Sequence, residues 1–314
     1  MPEVRLAVSN ICWPDGQAAH REAIDTLLKL DVPAIDIAPT KVWPHMLSRG
    51  VDAVTEEDIA DFKRTLRGRE ISGFQSLTYG VPPNPWKNTV FANPDTWVYG
   101  LYEHVGHMVN LAQRVGATTL VYGAPATRRR DGVNDKNHEQ LLAENFFSPL
   151  VEQAEEKEVI LGIEPVSTDY VDNPFGRSAH DLLQTAVGMR FHGQRVFSLV
   201  PDTYAMSDAG DDVPRAIHVW GEILHSLAPH WQISEKGMAP VGAGTMINHR
   251  VFADALQAVI ESEEAAYQLS GKNAKAYDGP ITLAIEMRPD PTVSVTHALT
   301  RAVNFVREHY PQVA

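Results

Sequence analysis

The stretches VILGIEP (159–165), VFSLVPDT (196–203), HWQISE (230–235) and ITLAIEM (281–287) decide the fold. Each is a short apolar run that stops at an acid: Glu164, Asp202, Glu235 and Glu286. Near-continuous Val, Ile and Leu is what a strand buried on both faces of a parallel sheet requires. A carboxylate at the C-terminal end of such a strand stands where barrel enzymes keep their chemistry.

Working outward, the same unit recurs along the chain. Strands are expected at 5–11, 34–40, 71–77, 118–124, 159–166, 196–203, 230–235 and 281–287. Helical spacing follows them at 19–30, after Thr55, and at 94–115, 138–157, 178–189, 213–227, 248–269 and 293–310. Thr55 followed by Glu56 and Glu57 reads as an N-cap with acids at the positive end of the helix dipole. Gly116 is the expected stop of the third helix. Eight strand–helix units predict a single α/β domain over 1–314, a (β/α)8 TIM barrel. A doubly wound open sheet is the competitor, but the glycine-rich phosphate turn it usually carries after an early strand is not found. The segment SGKNAKAYDG (270–279) joins a helix to a strand, so it is expected at the face away from the chemistry.

The 314 residues carry 27 Lys and Arg against 40 Asp and Glu, a formal net charge of −13, which argues against a nucleic-acid partner. The N-terminus lacks the basic and apolar regions of a signal peptide, and no run approaches the ~20 apolar residues of a membrane helix. With Cys12 as the single cysteine, an internal disulfide and a cysteine-based zinc cluster are both excluded. A cytoplasmic protein without a membrane partner is expected, and a homo-oligomer is compatible with the composition.

Alternation along a strand sorts the acids. Glu164 shares a side with Gly162, Asp202 with Val200 and Ser198, and Glu286 with Ala284 and Thr282. The opposite sides carry Leu161, Ile163, Phe197, Leu199, Ile281, Leu283 and Ile285, which belong against the helices. The acids should therefore point inward and meet at one mouth, together with His230 or Gln232 from the seventh strand. Unpaired buried carboxylates are costly and repel one another, so a divalent cation, a basic partner or a proton must balance them. Oxygen-rich donors with an imidazole suit Mn, Mg, Co or Zn. Further candidates for holding a substrate are Gln75, Lys41, Arg288, the Arg128–Arg130 run and the indoles Trp13, Trp43 and Trp86. The arginines either grip an anionic group or form a solvated loop.

The order of these motifs, Glu ending strand five, Asp in PDT after strand six, HWQISE, then PVGAG and AIEM, resembles the sugar phosphate isomerase/epimerase superfamily, the xylose isomerase-like barrels. The resemblance spans nearly the whole chain. It implies an isomerase or epimerase acting on a small sugar or cyclitol, with Glu164 and Glu286 as metal-binding proton-transfer residues and Asp202 as a third ligand. The fourth ligand of that pattern is the second histidine of an HxH strand. Gln232 stands there, with His230 at the first histidine position. The histidine expected three residues after the Asp is Ala205. Both departures weaken the expected metal site. A lyase or dehydratase of the same fold, or a non-catalytic barrel serving as a binding subunit, are the alternative implications; endonuclease activity would need several more histidines.

Overall fold

In the computed structural model, residues 2–79, 100–130, 135–242, 247–262 and 279–313 are described. Eight parallel strands form one sheet: β1 Val4–Ser9, β2 Ala34–Ile37, β3 Glu70–Phe74, β4 Thr119–Tyr122, β5 Ile160–Ile163, β6 Ser198–Leu199, β7 His230–Ile233 and β8 Ile281–Ile285. Their order is β6-β5-β4-β3-β2-β1-β8-β7. The sheet curls so that β6 meets β7. Leu199 N donates to Ser226 O at 2.8 Å and Gln232 N to Pro201 O at 2.8 Å, closing the barrel. This order excludes the open doubly wound sheet.

Main helices follow the strands: α1 Gln17–Lys29, α2 Glu56–Thr65, α3 Leu101–Val115, α4 Lys136–Glu156, α5 Ala179–Phe191, α6 Val213–His218, α7 His249–Glu261 and α8 Val295–His309. Local chemistry sets several of their ends. Thr55 and Asp58 form a reciprocal capping box at α2. Ser178 and Ser294 cap α5 and α8. Gly116 ends α3 at φ +81°, a left-handed conformation that glycine adopts without a Cβ penalty.

Some elements are shorter than their apolar patterns suggest. β2 ends at Ile37 because Pro39 opens a helical turn, Pro39–Val42. β6 is two residues long because Pro201 has no N–H and Asp202 already caps the helix Thr203–Ala209. The expected helix 213–227 is α6 followed by a π turn over Val219–Ile223. The expected segments 94–99, 263–269 and most of 270–279 lie outside the described residues, as does Trp86.

Side-chain alternation follows the expected sides. Leu161, Ile163, Phe197, Leu199, Ile281, Leu283 and Ile285 join the large core between sheet and helices. The barrel interior holds smaller groups: Ala7, Ala34 and Ala284 in one cluster, and Val121, Ile160, Val200 and Ala228 in another. Gly162 belongs to this interior; a Cβ there would fall 2.4 Å from Val200 Cγ2. Such filling makes the barrel a packed core whose chemistry is confined to its C-terminal mouth.

Candidate active site

A cavity of about 600 Å³ opens at the C-terminal ends of the strands. Glu164, Asp202 and Glu286 all line it, together with Ser76, Tyr170, Ser234 and Arg288. Glu164 and Glu286 follow their strands directly, Asp202 stands three residues past the end of β6, and the inward parity of each strand carries its acid to the mouth.

Glu164 is held from behind. Gly123, at the end of β4, leaves the space its carboxyl needs: a Cβ there would lie 2.1 Å from Glu164 Oε1. The Glu164 backbone carbonyl accepts from Arg128 Nη1 at 2.7 Å. Gln232 acts on the Glu164 carboxyl in the lowering direction. Glu164 Oε2 and Gln232 Oε1 remain as buried acceptors without a partner. Burial, then the charge of Asp202, raises Glu164 to about 8, against the lowering effects of Arg128 and the Gln232 hydrogen bond. Glu286 is raised well above the ordinary carboxyl range by burial and by the charges of Glu164, Asp202 and Asp36, while a Ser76 hydrogen bond opposes the rise.

Asp202 is more fully engaged. Its Oδ1 accepts from Ala205 N at 2.6 Å and its Oδ2 from Ser234 Oγ at 2.7 Å, so it caps one helix and ties it to β7. Burial raises it to about 6, and these hydrogen bonds limit the rise. Tyr170 faces the three acids; burial and then the charges of Asp202, Glu286 and Glu164 push its phenol upward. Tyr170 lies in the loop after β5, outside any periodic pattern, and nothing in its local sequence marks it.

The remaining sequence candidates fall elsewhere. His230 lies one layer below the mouth, fully buried, with Nε2 2.8 Å from Asp36 Oδ2. Gln75 is buried beneath the cavity, donating to Ser9 Oγ and accepting from Ser76 Oγ. Arg128 neither grips an anion nor meets solvent. It is fully buried and donates to the carbonyls of Phe175, Tyr122, Gly123, Glu164 and Gly176. Arg130 pairs with Glu139 at 2.8 Å and Asp181 at 2.7 Å. The expectation of an anion-binding or solvated arginine loop is thereby corrected for both residues: the ends of β4 and β5 and the loop after β5 place carbonyls around Arg128, and α4 and α5 place the Glu139 and Asp181 carboxylates beside Arg130. Trp13 and Lys41 border a second cavity beside the first. Trp43 is buried, packed at 5.5 Å against Phe62. Arg288, exposed, borders the acid-lined cavity.

The donor set around the acids is entirely oxygen. Among the described residues, no three His, Cys, Asp or Glu side chains stand together as an ion-holding group. The unpartnered Glu164 Oε2 and Gln232 Oε1 nevertheless suit a hard divalent ion, with the Gln232 amide taking part beside the acids.

The acids carry a consequence for stability. Their folded-state pKa values lie above the unfolded carboxyl values of ~4, so the folded chain binds more protons than the unfolded one. Stability is then highest below pH ~4 on this account and falls as pH rises through about 6 for Asp202 and about 8 for Glu164. Chelator-treated protein is expected to melt lower at pH 8.5 than at pH 5.5, and Glu164→Gln to narrow that difference. Equal slopes for native and variant protein would contradict this origin.

The fold and its acid-lined mouth define a parallel (β/α)8 barrel with a C-terminal pocket. The chain belongs to the xylose isomerase-like TIM barrel family, whose model matches residues 24–299. No curated protein matches it by sequence. Among solved structures it is similar to 3-keto-D-glucoside 4-epimerase from E. coli, with TM-score 0.65 and 14% identity, over 96% of this chain and 100% of that one. It is similar to an L-ribulose 3-epimerase, with TM-score 0.69 and 14% identity, over 98% and 95% of the two chains. It is also similar to the IOLI protein with a bound zinc atom, with TM-score 0.64 and 11% identity, over 99% of each chain. At these identities the likeness concerns the fold. Among the described residues no helix is long and apolar enough to cross a membrane.

Proposed function

We propose that this chain is an isomerase or epimerase of a small sugar or cyclitol, which moves a proton at the carbon next to a carbonyl. The observation that carries the reading is the placement of Glu164 and Glu286 on one cavity, with Glu164 Oε2 buried and free of any hydrogen-bond partner. A carboxyl raised to about 8 is balanced between base and acid near neutral pH, where acid–base catalysis is most effective. One glutamate removes the proton from the carbon; the other, protonated, returns one to the intermediate. Their raised proton affinities support such a division, because two neighbouring carboxyls in a buried site resist ionising together. Ser76 and Tyr170 line the same cavity and offer hydroxyls to substrate oxygens.

A Mg²⁺ or Mn²⁺ ion taken up at Glu164 Oε2 and Gln232 Oε1, beside Asp202 and Glu286, would polarise the substrate carbonyl and stabilise the developing oxyanion. The IOLI protein's zinc is a precedent for a metal within this fold. Protein purified without chelator is expected to hold about one divalent ion per chain, and EDTA to suppress turnover. Far less metal, with full turnover in EDTA, would remove the ion from the reaction.

The reading is tested by incubating the protein with ketoses, keto-glycosides and inososes and following the products by NMR. Interconversion of epimers or of aldose and ketose is expected for at least one class. Loss of water or of a β-substituent would instead make the enzyme a lyase. No conversion of any member would favour a non-catalytic barrel.

A further inference from the structure

A second cavity, of about 590 Å³, lies at the same end of the barrel. Trp13, Gln17, His20, Lys41, Leu47 and Phe62 contribute to its walls. Tyr79 borders both cavities, so the two adjoin. The Tyr79 backbone carbonyl accepts from Thr40 Oγ1 at 2.6 Å, which anchors the shared wall to the turn after β2.

The lining indicates what this cavity accepts. The half-buried His20 and Phe62 rings stand 5.8 Å apart, and the buried Trp13 ring backs His20 at 6.0 Å, forming an aromatic side. The charge of Lys41 is already balanced: its Nζ lies 3.1 Å from Asp15 Oδ1 and donates to the Trp13 carbonyl. An anionic ligand would have to displace Asp15. A neutral ligand with apolar faces and a hydroxyl rim suits the aromatic wall and the polar groups of Gln17 and Thr65. The first cavity alone falls within the ~300–1,000 Å³ that encloses a whole small ligand, so one sugar ring makes no use of the second.

We propose that the second cavity is a subsite for a neutral sugar ring linked to the one that reacts, so that the substrate is a glycoside or disaccharide and not a free monosaccharide. The proposal rests on the sugar reading of the first cavity. The reacting ring lies over Glu164 and Glu286, and its neighbour passes Tyr79 to pack against the aromatic wall.

The test measures equilibrium binding of lactulose, maltulose and isomaltulose against D-fructose and D-tagatose. Native protein is compared with Leu47→Trp and Thr65→Trp, which fill the cavity from exposed positions on its lining. At least one disaccharide is expected to bind native protein roughly tenfold more tightly than either ketohexose. Each Trp variant should bring that ratio close to one. Disaccharides that bind no better than ketohexoses, or a preference that survives both variants, overturn the subsite. The same sugars are assayed for exchange of substrate hydrogen with solvent. A variant-sensitive disaccharide preference without exchange keeps the subsite and removes the isomerase reading; exchange of ketohexoses without any disaccharide preference does the reverse.

Discussion

Glu286→Gln is expected to lower turnover by roughly 10²–10⁴-fold, the usual contribution of a positioned proton-transfer group. The amide keeps the shape and one oxygen donor but cannot accept a proton near neutral pH. Because Glu286 borders an open cavity and pays a desolvation cost when ionised, its replacement should leave the melting temperature unchanged or raise it. Glu164→Gln should reduce turnover on the same scale and weaken any bound cation further, since Glu164 Oε2 is a buried acceptor without a partner. Steady-state rates, with ligand binding measured in parallel, check both variants. Near-normal turnover in both would remove the acid–base pair from the reaction.

Arg128→Met should be the most destabilising single change near the site. The guanidinium serves five carbonyls at once, including that of Glu164. Methionine fills similar space but removes a donor from each of these carbonyls, of which Gly176 O keeps Val166 N, and each buried group left unsatisfied costs about 1–3 kcal/mol. Relaxation recovers part of this, so a loss of about 3–5 kcal/mol is expected, read as a lowered urea midpoint. Arg128→Lys should recover little, because one ammonium cannot span carbonyls of β4, β5 and the Phe175–Gly176 turn. Activity should fall together with stability, since the backbone of Glu164 loses its support. A variant as stable as native protein would show that the carbonyls find other donors.

The contrast between Glu164 and Arg128 explains what could be read from the sequence. Strand alternation depends only on local geometry, so the small inward residues and large outward ones revealed the barrel and brought Glu164, Asp202 and Glu286 to one mouth. Arg128 sits in a loop, where its charge and position after a strand say nothing about what surrounds it. Its partners come from 36 to 48 residues away at Glu164, Phe175 and Gly176. His230 shows the limit of parity itself. It shares a side with Gln232, but two residues along a strand separate the mouth from the buried layer where it meets Asp36. His230→Asn therefore acts first on that buried pair. Trp13 and Lys41 follow strand ends as expected, yet their loops turn them toward the adjoining cavity, and Tyr170 enters from a loop without periodicity.

The most direct measurement of the central claim is the fate of one hydrogen. A sugar that the protein converts is incubated with native enzyme in D₂O, and both product and recovered substrate are analysed by NMR. Proton transfer through Glu164 and Glu286 predicts deuterium at the carbon next to the carbonyl, with incorporation lost in Glu164→Gln and Glu286→Gln. Product that keeps its original hydrogen and takes none from solvent would contradict the account, because the hydrogen would then move within the substrate without reaching either carboxyl.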